Sequence, residues 1–155
     1  MNKLEKFKVK RIQNLITAEL VQLVEESKQD GFRFLERLVN EFENGTNTFT
    51  KPGEYLYGVY MDEGKLIAVG GLNRDPYSNN QNIGRLRRFY VAKEYRRSGV
   101  GKLLLNEIIS DAKNYFEIIV LHTDTEQATK FYSAFGFKDN CTFPDSTHYL
   151  NLGRM

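Results

Sequence analysis

The sequence predicts an α/β domain: a mixed, mostly antiparallel central sheet of about seven strands, flanked by four helices. Three observations support this prediction. Apolar and polar residues alternate in short segments that turn residues separate, apolar residues recur at helical spacing in four segments, and the second half follows a strand–helix–strand order. The chain has 155 residues, enough for one domain that buries about two-thirds of its surface. We therefore expect a single domain over residues 1–155.

The first half shows one strand, two helices and then a hairpin. The first helix has Thr17 as a possible cap and Gly31 after its end, and Asn44-Gly45 is typical of the end of the second helix. Asp62-Glu63-Gly64 predicts the hairpin turn, and the polar segment 73–82 predicts a surface loop. The predicted elements are a strand at 7–12, helices with apolar stripes over 16–24 and 35–42, and strands at 54–61 and 65–72.

The second half alternates strands and helices. A strand is followed by a helix with a stripe of leucine and isoleucine, and then by a short, continuously apolar strand typical of the centre of a sheet. Another helix and two closing strands complete the chain. The predicted elements are strands at 85–91 and 117–121, helices at 101–112 and 128–135, and final strands at 136–138 and 147–152.

Composition excludes several classes of protein. The net charge is only +2, which argues against bulk electrostatic binding to nucleic acid or a membrane surface. No apolar run approaches the roughly 18 residues that span a bilayer, and the first residues lack the apolar region of a signal peptide. The single cysteine, Cys141, excludes an internal disulfide and fits a reducing compartment. We expect a cytoplasmic protein that binds neither nucleic acid nor membrane.

The most informative segment runs from Phe89 through Tyr90 and Val91 to Lys102, where a strand enters a short basic loop that opens a helix. Unpaired N–H groups and a partial positive charge at a helix N-terminus bind anions, and glycines allow close approach of the backbone. The segment predicts a phosphate or pyrophosphate site. It lacks the spacing of a Walker A loop and the third glycine of the dinucleotide fingerprint. The loop residues that we assign to this site are Arg96, Arg97, Ser98, Gly99, Val100, Gly101 and Lys102.

Arg96-x-x-Gly99-x-Gly101 resembles the [Q/R]-x-x-G-x-[G/A] motif of the GNAT superfamily of acyl-CoA N-acyltransferases. The resemblance is strongest over residues 84–138. It extends to Leu121-His122-Thr123, which is similar to the end of the family's fifth strand, and to Ala128-x-x-x-Tyr132 followed by Gly136-Phe137. It implies acetyl-CoA as co-substrate without a metal, and a crevice between the strand ending near Val91 and the strand at 117–121, with the pantetheine in it.

The resemblance also implies direct transfer of the acetyl group to an amine of a small molecule or peptide. Tyr132 is then the general acid for the departing thiolate, and a backbone N–H within 89–91 stabilises the charge on the thioester oxygen. Glu54 and His122 are candidate bases, and deprotonation through water is an alternative. Thr125 stands where many relatives carry an asparagine beside the pantetheine. Arg85 occupies a position where some relatives have a glutamate base.

Other interpretations remain open at this stage. The chain could be a non-catalytic acyl-CoA-binding regulatory domain, and Tyr132, which lies on an apolar stripe, could be a core residue with a satisfied hydroxyl. The arginines at 85, 87 and 88 indicate either a solvated strand edge or a preference for an acidic acceptor. The sequence is compatible with a monomer or a homodimer, and it does not identify the acceptor.

Overall fold

The computed structural model describes residues 6–15 and 17–153, which form one seven-stranded sheet with helices on both faces. The strand order is β1-β2-β3-β4-β5-β7-β6, and every neighbouring pair is antiparallel except β4 and β5. This architecture confirms the predicted fold class. The strands are β1 (Phe7–Arg11), β2 (Tyr55–Met61), β3 (Leu66–Arg74), β4 (Ile83–Val91), β5 (Ile118–Leu121), β6 (Lys138–Asp139) and β7 (His148–Asn151), and the helices are α1 (Thr17–Gln29), α2 (Phe34–Asn44), α3 (Val100–Ala112) and α4 (Glu126–Ala134).

Two apolar clusters hold the helices against opposite faces of the sheet. On one face, the stripe of α3 that includes Leu104 and Ile108 is fully buried with residues of β2, β3 and β5. On the other face, Leu20 and Leu35 bring α1 and α2 against Val69 and other residues of the sheet. Each helix therefore buries its apolar stripe against the sheet, and removal of that stripe from water stabilises the helix in this position.

The loop between β3 and β4 is shorter than the sequence predicts. Strand β3 continues to Arg74, and β4 begins at Ile83, so the surface loop covers 75–82 instead of 73–82. The reason is a tertiary contact, because the Asn73 side chain is buried and exchanges two hydrogen bonds of 3.0 Å with the side chain of Asn47. Ile16 and the side chain of Thr17, the proposed cap of α1, lie outside the described part of the chain.

Strand β4 contains a bulge. Val69 pairs with Tyr90 and Gly71 pairs with Arg87, so Arg88 and the residue after it stand opposite the single residue Gly70. Arg88 adopts a positive φ of 59°, the left-handed conformation that commonly absorbs the extra residue of a bulge. The bulge bends the strand at the point where it leaves its parallel neighbour.

Strands β4 and β5 separate soon after they meet. They pair at only three positions, from Ile83 with Ile118 to Arg85 with Val120. The rest of β4, through Val91, has no neighbouring strand on that side among the described residues. Alternate backbone groups of this segment therefore face an opening between the two strands. The predicted crevice is confirmed.

Three buried tyrosines share one electrostatic property. Burial raises the pKa of Tyr57, Tyr90 and Tyr132 above the ordinary value of 10.0. A hydrogen bond from the Tyr57 hydroxyl to Asp111 Oδ2, 2.9 Å long, adds to this effect, and the Tyr90 hydroxyl donates in the same way to Glu26. All three phenols are therefore neutral at physiological pH.

None of the helices within 6–15 and 17–153 is both long enough and apolar enough to cross a membrane.

Candidate active site

A cleft of about 870 Å³ fills the opening between β4 and β5. The floor is formed by β4 from Arg85 to Val91, and one end is closed by the loop that enters α3. One wall is formed by residues 121–125, at and after the end of β5, and by one face of α4. The other wall is formed by Phe32, in the turn after α1, and by Phe34 at the start of α2. Segments that are far apart in the sequence therefore meet around one elongated cavity.

The loop before α3 is shaped to bind an anion. Gly99 is the N-cap of α3 and has φ of 88°, and Arg97 has φ of 63°. Two left-handed residues so close together turn successive backbone N–H groups toward one side, and the first N–H groups of α3 have no acceptor within the helix. Both Gly99 and Gly101 line the cleft. The geometry fits the phosphate site that the sequence predicts.

The basic side chains of this loop divide into two kinds. Arg96 donates from Nε to the Val91 carbonyl at 2.9 Å and from a terminal nitrogen to Asp30 Oδ2 at 3.0 Å. It therefore fastens the loop to β4 and α1. Arg97 and Lys102 are exposed and line the cleft, and neither forms an ion pair with the described residues. These two cations are the ones available to a phosphate group.

The other residues predicted to contact a cofactor contribute mainly through the backbone. Val100 is fully buried in the core, and the Ser98 hydroxyl donates to the Tyr95 carbonyl. The Tyr90 hydroxyl is engaged by carboxylates of α1. Thr125 is the N-cap of α4, where its Oγ1 accepts a hydrogen bond from Ala128 N at 3.1 Å. Thr125 thus replaces an asparagine with another good capping residue.

Tyr132 lies in the cleft wall and is only 8% exposed. Its ring packs among those of Phe89, Phe131 and Phe137, with centroids 5.2–6.1 Å apart. The hydroxyl has no hydrogen-bond partner among the described residues, unlike most buried tyrosines. The interpretation of Tyr132 as a core residue with a satisfied hydroxyl does not agree with this arrangement. The structure instead presents a rigidly packed ring and an O–H donor available to a ligand.

The two candidate bases lie in different places. Glu54 is buried outside the cleft, where Oε1 accepts from the Lys51 amide at 3.2 Å and Oε2 accepts from the Arg74 amide at 2.9 Å. It stabilises the chain around the start of β2. His122 lines the cleft, is about half exposed, and places Nε2 3.1 Å from Asp124 Oδ1. The structure therefore brings His122, and not Glu54, to the same cavity as Tyr132.

Arg85, for which the sequence left open a solvated strand edge or a preference for an acidic acceptor, is buried, so the interpretation as a solvated edge is wrong for this residue. It donates to Asp75 Oδ1 at 2.8 Å and to the carbonyl oxygens of Pro144 and Asp145 at 2.9 and 2.8 Å. It therefore fixes two loops at the far end of the cleft. The partners lie 59 and 60 residues away along the chain, so local sequence patterns carry no signal for them.

No group of three or more histidine, cysteine, aspartate or glutamate side chains within 6–15 and 17–153 could hold a metal ion. The chemical resources of the cleft are therefore backbone amides, exposed cations, a phenol and an imidazole. These resources fit a long ligand with phosphate at one end and a reactive group at the other.

Comparison with known proteins agrees with the geometry. The sequence model of the acetyltransferase (GNAT) family matches residues 15–137. A protein from Exiguobacterium sp. 255-15 that is named as an acetyltransferase is 28% identical, with 94% of this chain and 93% of that chain covered and a TM-score of 0.82. A GNAT-family acetyltransferase from Staphylococcus aureus Mu50 is 23% identical, with coverage of 94% and 99% and a TM-score of 0.70, and shows the shared fold.

A third similar structure was solved with a ligand. A GNAT-family N-acetyltransferase from Escherichia coli in complex with CoA is 16% identical, with 95% of this chain and 82% of that chain covered and a TM-score of 0.69. At this identity the likeness concerns the fold. The match of the family model over residues 15–137 shows that the chain belongs to the GNAT acetyltransferase family.

Proposed function

We propose that this protein transfers an acetyl group from acetyl-CoA to an amine of a small molecule or peptide in the cleft between β4 and β5. The observation that carries the proposal is the separation of these strands beside the anion-binding N-terminus of α3. Acyl transfer is the activity of the family, and the CoA complex of the Escherichia coli relative supports the choice of co-substrate. The exposed free thiol of Cys141 fits a cytoplasmic location.

The cleft offers a defined place to each part of CoA. Backbone amides of residues 99–102, with Arg97 and Lys102, would hold the pyrophosphate. The unpaired edge of β4 from Leu86 to Val91 would pair with the amides of the pantetheine arm, as an added strand would. When bound, acetyl-CoA supplies an activated acyl group as a thioester. The N–H groups of Phe89, Tyr90 and Val91 are the candidates for stabilising the oxygen that gains negative charge.

Tyr132 is the general acid in this proposal. Burial raises its pKa, so the phenol keeps its proton across the physiological range and donates only as charge develops on the leaving sulfur. Its hydroxyl needs no rearrangement, since no described residue competes for it. The surrounding rings of Phe89, Phe131 and Phe137 fix its direction.

His122 is the candidate base. A lysine-like amine with a pKa of about 10.4 is rarely neutral at pH 7, which costs about 4.6 kcal/mol. When His122 donates from Nε2 to Asp124, Nδ1 carries the lone pair that accepts a proton. His122 is about half exposed, so an intervening water molecule is compatible with this role. Glu54 lines the smaller neighbouring cavity and not the cleft that holds Tyr132. It is not retained as a base, because both of its carboxylate oxygens accept from backbone amides.

The alternative of a non-catalytic acyl-CoA-binding domain is less well supported. A regulatory domain would need the phosphate loop but would have no use for a buried phenol with a free hydroxyl in the same cleft. The described chain retains both features.

The experiment is a panel of amines incubated with acetyl-CoA and purified protein, with release of free thiol as the readout. Propionyl-CoA in place of acetyl-CoA tests the acyl group. We expect thiol release that requires an amine, with His122→Gln lowering kcat. Tight CoA binding without amine-dependent thiol release for any acceptor would instead support the regulatory alternative.

A further inference from the structure

The three arginines of β4 differ in whether a residue of the protein neutralises their charge. Two of them are neutralised within the protein. Arg85 pairs with Asp75, and Arg88 donates to Glu41 Oε1 at 2.7 Å. The third, Arg87, is half-buried, and no hydrogen bond or ion pair connects its guanidinium to any residue within 6–15 and 17–153. One positive charge in this group is therefore uncompensated.

The environment of Arg87 is unfavourable for a solitary cation. Burial and the charges of Arg88 and Arg85 lower its pKa, and the groups that act in the opposite direction are Glu41, which is already paired with Arg88, and Tyr77. A charge that is partly removed from water without a partner costs free energy. An anion bound from outside the protein would supply the partner that the described residues do not.

The position of Arg87 separates it from the phosphate loop. Three residues of strand lie between Val91, beside the loop, and Arg87, so four residue steps separate the two, at most about 13 Å along β4. Arg87 also lines a second, polar cavity of about 500 Å³ that lies beside the main cleft. The phosphates of CoA are assigned to Arg97 and Lys102 at the other end, so Arg87 faces the region left for the second substrate.

We propose that Arg87 binds a carboxylate or phosphate group carried by the acceptor, and that the protein selects amines bearing such an anion. The inference rests on the proposed function, because the acceptor region is defined by the placement of CoA. Guanidinium is well suited to this task, since it meets either anion with two parallel hydrogen bonds. The carboxylates of Asp124 and Asp145 also line the cleft, but neither is paired with Arg87.

The test compares matched acceptors that differ only in the anion. Suitable pairs are histidine with histamine, lysine with cadaverine, and O-phosphoethanolamine with ethanolamine, each assayed for kcat/KM with acetyl-CoA and wild-type protein. The same pairs are then assayed with Arg87→Met and Arg87→Lys. Arg33→Gln is the control, because it removes an exposed positive charge that does not line the cleft. Calorimetry of each acceptor with CoA-saturated protein gives a readout that needs no turnover.

We expect the wild-type protein to prefer the anionic member of at least one pair by tenfold or more. Arg87→Met should reduce that preference by at least tenfold, Arg87→Lys should restore part of it, and Arg33→Gln should leave it in place. Carboxylate and phosphate pairs show which anion is selected. Equal use of charged and neutral members by the wild type, or an equal loss for both in Arg87→Met, would overturn the inference.

Failure of the proposed function has a different signature. In that case no amine is acetylated, and calorimetry alone decides the inference about Arg87. Binding of the anionic acceptor to the CoA-saturated wild type, lost in Arg87→Met, would then support the anion site. Equal binding to both proteins, or binding to neither, would refute it.

Discussion

Replacement of Tyr132 by phenylalanine separates a chemical role of the hydroxyl from a structural one. The substitution keeps the ring, and therefore its contacts with Phe89, Phe131 and Phe137. It removes only an O–H group that has no partner among the described residues. A buried hydroxyl with a partner typically contributes about 0.5–1.5 kcal/mol, so the unpartnered one should contribute less than about 0.5 kcal/mol. The expected change in Tm is below about 2 °C for a chain of this length.

The effect on catalysis should be larger. General acid catalysis typically contributes 10²- to 10⁴-fold, and a thiolate is a good leaving group, so we expect kcat to fall about 10²-fold. The KM for acetyl-CoA should stay within a few-fold, because the hydroxyl acts mainly in the transition state. Steady-state thiol release measures both constants, and differential scanning calorimetry measures Tm on the same preparations.

Tyr57→Phe is the matched control. Its hydroxyl donates to Asp111 Oδ2 at 2.9 Å and does not line the cleft. Loss of a hydrogen bond to a charged group costs about 1.5–3 kcal/mol, so this variant should lose several degrees in Tm and keep its kcat. If Tyr132→Phe behaved like this control, with full kcat and lower Tm, the assignment of a general acid would be refuted.

Four other predictions follow from the structure. Gly101→Val should weaken CoA binding tenfold or more in calorimetry, about 1.4 kcal/mol, because its side chain would project into the cleft against Phe131 and Val91, beside the first amides of α3. Arg85→Met should lower the free energy of unfolding by about 3–5 kcal/mol in urea titrations, because it leaves the fully buried side chain of Asp75 unpaired. Loss of the partly exposed Lys28–Glu36 pair is the control and should cost less than about 1 kcal/mol. Glu54→Gln should reduce stability with kcat within twofold of wild type. The three buried tyrosines have raised folded pKa values, so their stabilising contribution should be complete below about pH 10 and decline above it, by up to about 1.4 kcal/mol per pH unit for each group.

Each of these has a clear contrary result. Unchanged CoA affinity in folded Gly101→Val would remove the phosphate site from the α3 N-terminus. An Arg85→Met variant no less stable than the exposed-pair control would mean that Asp75 is not held as a buried charge. Loss of kcat in Glu54→Gln at full stability would return Glu54 to the list of bases. A free energy of unfolding that stays constant from pH 10 to 11 would contradict the raised pKa values of the three buried tyrosines.

Local patterns predicted the parts of the structure that depend on neighbouring residues. The glycine spacing and arginines of residues 96–102 indicated the anion-binding turn, and the left-handed φ of Gly99 supplies the physical reason. Local sequence patterns located the seven strands and four α-helices of the described residues, with small shifts at their ends. The resemblance to a family, and not periodicity, predicted where β4 and β5 separate.

Long-range contacts account for what the sequence did not reveal. Asn73 was assigned to a loop because its polarity is typical of turns, yet its exchange of hydrogen bonds with Asn47 extends β3. The sequence also did not reveal that the Glu54 carboxylate accepts hydrogen bonds from the backbone amides of Lys51 and Arg74. The difference between Arg87 and its neighbours is also invisible locally, since Asp75 and Glu41, which neutralise the other two, lie in other elements.

The bulge in β4 determines which way its side chains point. In a regular strand, Leu86 and Tyr90 would share a face, because their positions differ by four and side chains alternate between the two faces. Here Leu86 packs in the cluster beneath α3, and Tyr90 packs in the cluster of α1 and α2. The strand is in effect two half-strands that are out of phase. Deleting Arg88 would leave one residue opposite Gly70, and Tyr90 would still pair with Val69. Leu86 and Tyr90 would then lie three positions apart and alternate as in a regular strand, so both would stay in their present apolar clusters. The bulge is therefore an insertion that β4 absorbs without moving the residues on either side of it.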